Sequence, residues 1–377
     1  MVSLGVILLT IIIAILGYLI TPDSTPMSNT QILEISTQKP GFSSDFLKYR
    51  KNSEINSTSI FTKMMAGTPS DYTYIPLSNI EFVDDIAHIR VYDPEGGLFE
   101  ESYNVADILF PISGEPHYKD GMVYFSLIDG SSQSVQVSEL KTLIIEYNIV
   151  TSTYLLGTDQ FGRDLLSRLI IGTRVSLSVG AISVAISLLV GILLGSLAGF
   201  YRGRTDDIIM WFINVVWSIP TLLLVIAITF ALGRGFWQIF VAVGLTMWVE
   251  VARVVRGQIL SIREKEFVEA GFALGYSNFR IITKHIIPNI LSPVIVISAA
   301  NFAAAILIEA GLSFLGIGVQ PPMPSWGSMI KEYYSFIILD SAYLAITPGV
   351  AIVILVLAFM TLGNALRDTL DVKMMDS

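Results

Sequence analysis

Residues 266–289, EFVEAGFALGYSNFRIITKHIIPN, form a short polar interval between two apolar runs of membrane length. Just upstream, Ser261-Ile262-Arg263-Glu264 has the spacing of a capping box, which predicts that a helix starts here. Phe267, Ala270, Gly271 and Leu274 then recur at i, i+3, i+4 and i+7, so the helix should run two to three turns with one small apolar face. Gly275 stands where a left-handed C-cap would end it. Ser277 or Asn278 can cap a second helix that runs past Pro288 into the next apolar run. The side bearing Ala270 and Gly271 is nearly bare of side chain, which suits close approach by a groove on another protein. An ordinary connection between two spans is the plainer alternative.

Composition sets the class around that interval. The chain is 53% hydrophobic with a mean hydropathy of +0.65, and several of its apolar runs approach the roughly 20 residues that cross a bilayer. Six spans are predicted, at about 3–20, 175–199, 208–232, 237–254, 286–312 and 345–364. With no cysteine, disulfides and thiolate metal sites are excluded. The first run lacks a basic flank and an obvious small-x-small cleavage site, so it reads as an anchor rather than a cleaved signal peptide.

Basic residues in the short connections orient the spans. Arg202 and Arg204 follow span two. Arg253, Arg256, Arg263, Lys265, Arg280 and Lys284 crowd the loop after span four, and Arg367 and Lys373 lie in the tail. The opposite connections hold Arg234 and Lys331. Both termini and the 255–285 loop are therefore expected in the cytoplasm. Residues 21–150 fall outside, with 18 acids against 8 bases, a net −10 that accounts for the whole chain's −9. About 130 residues can bury a core of their own. Turns at Asp93-Pro94-Glu95-Gly96-Gly97 and Asp129-Gly130-Ser131 separate alternating runs such as 121–127 and 134–137, which predicts a β-rich or α+β domain with a hairpin. His88 and His117 are too isolated to argue for a metal.

In 155–177, LLGTDQFGRDLLSRLIIGTRVSL, Thr158 can cap a helix. Asp159 with Arg163, and Asp164 with Arg168, are acid-first i,i+4 pairs. With Phe161, Leu165 and Leu169 able to lie on the membrane, an amphipathic helix along the outer surface that leads into span two is predicted, within an outer-surface segment at 151–174. Gly191, Gly195 and Gly199 repeat at four-residue spacing along span two, a packing face for another helix. Ser218-Ile219-Pro220 places a proline within span three, predicting a kink. Glu250 is expected to pair with Arg253 or Arg256, and Glu309 to be hydrogen-bonded inside the bundle.

These motifs together resemble a known family. Glu269 and Ala270, then Gly275 and the distal Pro288, resemble the EAA loop of bacterial ABC importer permeases, with Gly271 where a third alanine usually falls. Gly157-Thr158-Asp159 followed by Gly162-Arg163-Asp164 resembles the segment before the second span in the dipeptide/oligopeptide/nickel branch, in its second permease. Residues 309–327 and the tail GNALRDTLDVK resemble that branch too, although Val372-Lys373 replaces a more familiar Pro-Arg. The likeness runs from about 155 to 373 and leaves the acidic segment uncovered.

The resemblance implies an α-helical polytopic protein with the six-span type I importer permease fold and an extracytoplasmic insert between spans one and two. The expected division is an anchor at 1–20, an acidic domain at 21–150, the surface segment at 151–174, a five-span core at 175–365 and a tail at 366–377. The implied function is the permease subunit of an ATP-driven importer of short peptides in the bacterial cytoplasmic membrane. Its implied partners are a second, related permease, one or two ABC ATPase subunits, a solute-binding protein and membrane lipid, with no nucleic acid. Phe267, Glu269, Ala270, Gly271, Leu274, Gly275 and Pro288 would couple ATPase motion to the spans. No G-x-x-x-x-G-K-[ST] phosphate loop occurs, so the chain is not expected to be an enzyme or to hold a cofactor; ATP and magnesium are expected on the ATPases. Two other readings stand beside this one: the same family importing nickel or another small solute, and an ATPase-independent sensor or channel.

Overall fold

In the computed structural model, which describes residues 1–54, 58–94, 96–97, 99–233 and 235–375, the chain divides into two compact units, Leu16–Ile171 and Met1–Ile15 with Gly172–Ser377. Glu95 of a predicted turn and Arg234 of a predicted loop lie outside the described residues, as do the last two residues of the tail. The first helix, α1 (Val2–Ile20), is apolar on every side and carries no charged residue, as a membrane anchor requires.

The Leu16–Ile171 unit is an α+β domain. Strands β1 (Phe42–Arg50), β2 (Tyr72–Val83), β3 (Ile86–Val91) and β4 (Glu100–Asn104) are followed by β5 (His117–Lys119), β6 (Met122–Ser126), β7 (Ser132–Gln136) and β8 (Ile149–Tyr154). They form a five-stranded sheet ordered β4-β3-β2-β1-β8 and a three-stranded sheet ordered β5-β6-β7. The pairings among neighbours are antiparallel, with Asp45 opposite both Leu77 and Thr151 on its two sides. Three short helices complete it: α2 (Ile60–Ala66), α3 (Val105–Leu109) and α4 (Val137–Leu143). Alternation places Ala87, Ile89 and Val91 of β3, and Val123 and Phe125 of β6, in one core with Val105, Ile108, Leu140 and Ile144. The β6–β7 hairpin turns at Asp129-Gly130-Ser131, where the Asp129 carboxylate accepts from the Ser131 backbone at 2.8 Å and Gly130 takes φ +84°.

The amphipathic helix predicted from Thr158 onward is absent before Leu165. Residues 149–154 are β8, paired with β1 because Ile149, Val150, Thr151 and Thr153 favour a pleated, half-buried strand. Residues 155–164 are turns, and helix begins only at Leu165. Gly157 and Gly162 take φ +78° and +70°, and a Cβ on either would run into the carbonyl of Gln38 or Ile32. Asp159 and Arg163 do pair, at 2.6 Å, but as a buried ion pair inside a looped segment. The Asp159 carboxylate also accepts from the Phe161 and Arg163 backbones at 2.8 and 3.0 Å, and the Arg168 guanidinium lies 3.6 Å away. Thr158 donates to the Ile35 carbonyl instead of capping a helix. The cap is Asp164, which accepts from the Ser167 backbone at 2.8 Å and from its hydroxyl. Burial pushes the Asp164 carboxyl above the usual carboxylate range, against the Ser167 bonds that pull it down.

The remaining helices are α5 (Leu165–Tyr201), α6 (Gly203–Trp217), α7 (Thr221–Leu232), α8 (Phe236–Ile262), α9 (Glu266–Ala273), α10 (Asn278–Phe314), α11 (Trp326–Tyr333) and α12 (Tyr343–Met375). Among the described residues, α1, α5, α8, α10 and α12 are long and apolar enough to cross a membrane. The expected third span, 208–232, is instead the pair α6 and α7, bent by 94° at Ser218-Ile219-Pro220. Counted as one span, the pair brings the total to six. A proline inside a helix removes one N–H and clashes with the preceding turn. Here the helix stops, with the Ser218 hydroxyl turned back onto the Val215 carbonyl at 2.7 Å.

Candidate functional site

The interval between α8 and α10 folds as an elbow. Ser261 lies in the last turn of α8, so the predicted capping box does not form; α8 simply runs on to Ile262. The short helix starts at Glu266, with extended Lys265 as its N-cap and no side-chain cap bond. Glu266 and Glu269 in its first turn offset that loss by meeting the positive end of the helix. At the other end Gly275 takes φ +72°. Its N–H donates to the Phe272 carbonyl at 3.0 Å and the Tyr276 N–H donates to Gly271 at 3.1 Å, the paired bonds of a Schellman cap. The Ser277 hydroxyl then accepts from the Arg280 backbone and starts α10.

Burial divides the faces of α9. Val268 is fully buried, seated among Phe200, Val251, Val255, Ile259, Ile281, Ile282 and Ile286. Gly271 is also buried: a Cβ there would lie 3.7 Å from both Ile281 and the Tyr276 ring. The expectation that Gly271 shares a bare outer face with Ala270 is thus corrected, because the capped chain folds back over it. Phe267, Ala270 and Leu274 are exposed, joined by Phe272 and Phe279, the last 77% accessible. Beyond the elbow, Pro288 lies in a tight 3-10 turn, Ile287–Ile290, preceded by a π-helical stretch, Ile281–Ile286. The N–H missing at Pro288 breaks the regular ladder here, and the Asn289 amide donates to the His285 carbonyl at 2.6 Å. The Tyr276 ring stacks on His285 and lies under the Arg280 guanidinium at 4.0 Å. A rigid, partly aromatic joint therefore links exposed α9 to α10.

The elbow hangs from α8, and α8 from α5. Gly191, Gly195 and Gly199 face α8 one after another. A Cβ on Gly195 would sit 2.6 Å from the Ala252 carbonyl and 2.9 Å from Val255, and one on Gly199 would sit 2.9 Å from the Arg256 carbonyl. Gly244 of α8 returns the approach against Ile186, and the Ser183 hydroxyl donates to the Phe240 carbonyl at 3.1 Å. Replacing Gly195 with Leu should cost at least the ~1–3 kcal/mol of an overpacked core. The check is thermal unfolding in detergent followed by tryptophan fluorescence. Gly257→Ala on α8, whose added Cβ meets nothing within 4 Å, should leave the transition in place or raise it slightly.

Neither basic residue expected at Glu250 turns to it. Arg256 makes a two-pronged pair with Asp206 of α6, at 2.5 and 2.6 Å. Arg253 donates to the Asn214 side chain at 2.7 Å and lies 3.8 Å from the Trp217 ring. Planar guanidinium groups favour such bidentate and stacked partners, and α6 supplies both kinds. Glu309 is fully buried and accepts from the Ser313 hydroxyl at 2.6 Å, as expected. The Asp206–Arg256 pair was not legible beforehand, since 50 residues separate the partners.

The family described as "Binding-protein-dependent transport system inner membrane component" matches residues 191–376. The glutathione transport system permease protein GsiD of Pectobacterium atrosepticum is 40% identical over 224 residues, which is 59% of this chain and 74% of that protein. The dipeptide transport system permease protein DppC of Alkalihalophilus pseudofirmus is 40% identical over 58% of this chain and 71% of its own length. The oligopeptide transport system permease protein OppC of Haemophilus influenzae is 40% identical over 58% and 70%. Among solved structures, a chain of the MetNI methionine ABC transporter in an inward-facing form overlaps 54% of this chain and 97% of its own, at 20% identity and a TM-score of 0.47. The aligned lengths of the three permeases stop well short of this chain's 377 residues. On the strength of the 40% identity over nearly three quarters of a relative, this multi-pass membrane chain belongs to the binding-protein-dependent transport system inner membrane components.

Proposed function

We propose that this chain is a transmembrane permease subunit of an ATP-driven importer of short peptides, and that the α9 elbow receives the push of an ATPase. The observation that carries the reading is the elbow itself. Exposed Phe267, Ala270, Leu274 and Phe279 stand over buried Val268 and Gly271, which pack against the start of α10. A partner gripping the exposed side moves α10 directly, because the Schellman turn and the Ser277 cap leave little slack between the two helices. Apolar side chains left in water are costly unless something covers them. The names of the relatives point to cargo made of a few linked amino acids, since glutathione, dipeptides and oligopeptides share that chemistry.

In this mechanism two ATPase subunits close on ATP, carrying α9 with them, and α8 and α10 are levered so that a path shared with a second permease opens to the outside. Hydrolysis returns it inward. ATP and magnesium belong to the ATPases, and a solute-binding protein delivers the peptide. The basic loops orient the elbow and the C-terminus into the cytoplasm and the α+β domain to the outside.

A mild-detergent pull-down of the full chain from its native membrane tests this. A second permease and phosphate-loop ATPases should be recovered with it. Glu269→Lys should reduce ATPase recovery severalfold, because it reverses the charge on an exposed face and opposes the helix dipole at its N-terminal turn. Recovery of the chain alone, under conditions that keep another transporter intact, would favour a sensor or channel. Unchanged ATPase recovery with Glu269→Lys would remove α9 from the docking surface.

A further inference from the structure

One stretch of the acidic domain is free of acids. Between Glu54 and Asp71 there is no Asp or Glu, and Lys63 is the single charged residue, within a segment that holds 18 acids in 130 residues. The stretch contains α2. None of the residues of α2 is buried, and Ile60, Phe61 and Met65 are 78%, 69% and 60% exposed. Seven residues are too few to hold a helix unaided. It is kept by its ends, with the Ser59 hydroxyl accepting from the Thr62 backbone and a Gly67 at φ +77° closing it.

The foot of α2 is fastened at a particular place. The Thr68 N–H donates to the Ser24 carbonyl at 2.9 Å, and Gly67 lies so close to the same backbone that a Cβ would sit 2.7 Å from that oxygen. Ser24 is four residues beyond Ile20, the last residue of α1, a separation of at most about 14 Å of chain. The Asp23 N–H in turn donates to the Ser167 hydroxyl at 3.0 Å, in the first turn of α5. Two apolar helices therefore end at the point where α2 is tied. A helix of this length is about 10 Å long, and the headgroup layer is about 5–8 Å deep on each side of the hydrocarbon. Its apolar side chains are within reach of the acyl boundary.

We propose that α2 is a membrane-interface foot: Ile60, Phe61 and Met65 enter the headgroup–acyl boundary of the bilayer that surrounds this chain's own helices. Exclusion of acids from 55–70 removes the repulsion that the rest of the domain would meet at an anionic lipid surface, and the one charge retained is positive. This assignment does not depend on the transported cargo, nor on which side of the membrane the domain occupies.

The chain contains no cysteine, so single cysteines report single sites. Full-length Phe61→Cys and Met65→Cys, spin-labelled in nanodiscs of phosphatidylcholine and phosphatidylglycerol, are compared with Val83→Cys at the end of β2, where Val83 is 57% exposed. All three positions are on the surface, so folding is preserved. The expected result is that labels at 61 and 65 collide mainly with oxygen and are shielded severalfold from a water-soluble nickel chelate, while the label at 83 shows the reverse. Equal access of the chelate to 61, 65 and 83 would overturn the proposal. Shielding that arises only when purified solute-binding protein is added would also overturn it, and would assign the patch to that protein.

Discussion

Uptake by Gly275 variants should fall in the order Asn, Ala, Val, with Val losing at least tenfold while insertion and cellular amount stay unchanged. The reason lies in the backbone. Gly275 takes φ +72° and closes the paired bonds to Phe272 and Gly271. A left-handed conformation costs a non-glycine residue about 1–2 kcal/mol, less for Asn and more for a β-branched side chain. A Cβ at this position meets nothing within 4 Å, so the loss in the Ala variant reports the backbone conformation and not a clash. A relaxed turn lets α9 and α10 swing independently, and a push on α9 is then spent in the joint. Transport of a labelled peptide into proteoliposomes containing the assembled importer is the measurement. Wild-type uptake by Gly275→Val would show that the turn does not transmit motion.

Asp159→Asn should open the buried polar knot of the α+β domain. Asp159 is fully buried and Arg163 nearly so, with Arg168 alongside at 3.6 Å. The substitution removes the carboxylate that faces both guanidinium groups and weakens the turn bonds to Phe161 and Arg163. Removing one partner of a buried pair costs about 3–5 kcal/mol. At about 1.4 kcal/mol per tenfold, amides in this segment and in its neighbours around Ile32–Gln38 should exchange roughly two to four decades faster. Hydrogen exchange on the full chain in detergent reads this region by region, and amides of the α5–α8 interface serve as the internal control. Asp159→Asn with Arg163→Gln should be less damaging than the sum of the single changes, because the pair is coupled. Unchanged exchange would mean that the pair contributes little and that the glycine turns hold the segment.

How far each element could be read depended on the range of the interaction behind it. The first apolar helix, the other long apolar helices, the β6–β7 hairpin, Gly275 as a cap and Ser277 as the next helix start are products of hydrophobic periodicity and of bonds spanning a few residues, and all are present. The misreadings share one cause. Asp159 and Arg163 have the spacing of a helical pair, but that spacing is equally available to a turn, and Gly157 and Gly162 on either side admit the turn. Ser261 has a cap's chemistry four residues too early, where α8 still has carbonyls to satisfy.

The sequence by itself determined a polytopic membrane protein with an acidic, strand-containing segment and a glycine-ended helical elbow between two long apolar helices. Tertiary structure decided which side of that elbow is free, since Val268 and Gly271 turn inward only because Ile281 and Tyr276 fold back onto them. It also decided that Arg256 takes Asp206, that α6 and α7 meet at 94°, and that the foot of α2 is tied beside the ends of α1 and α5. A cap or a heptad-like stripe is satisfied within its own turn. A buried charge, a glycine groove or an apolar patch acquires its meaning from residues tens of positions away, and only the folded chain brings those together.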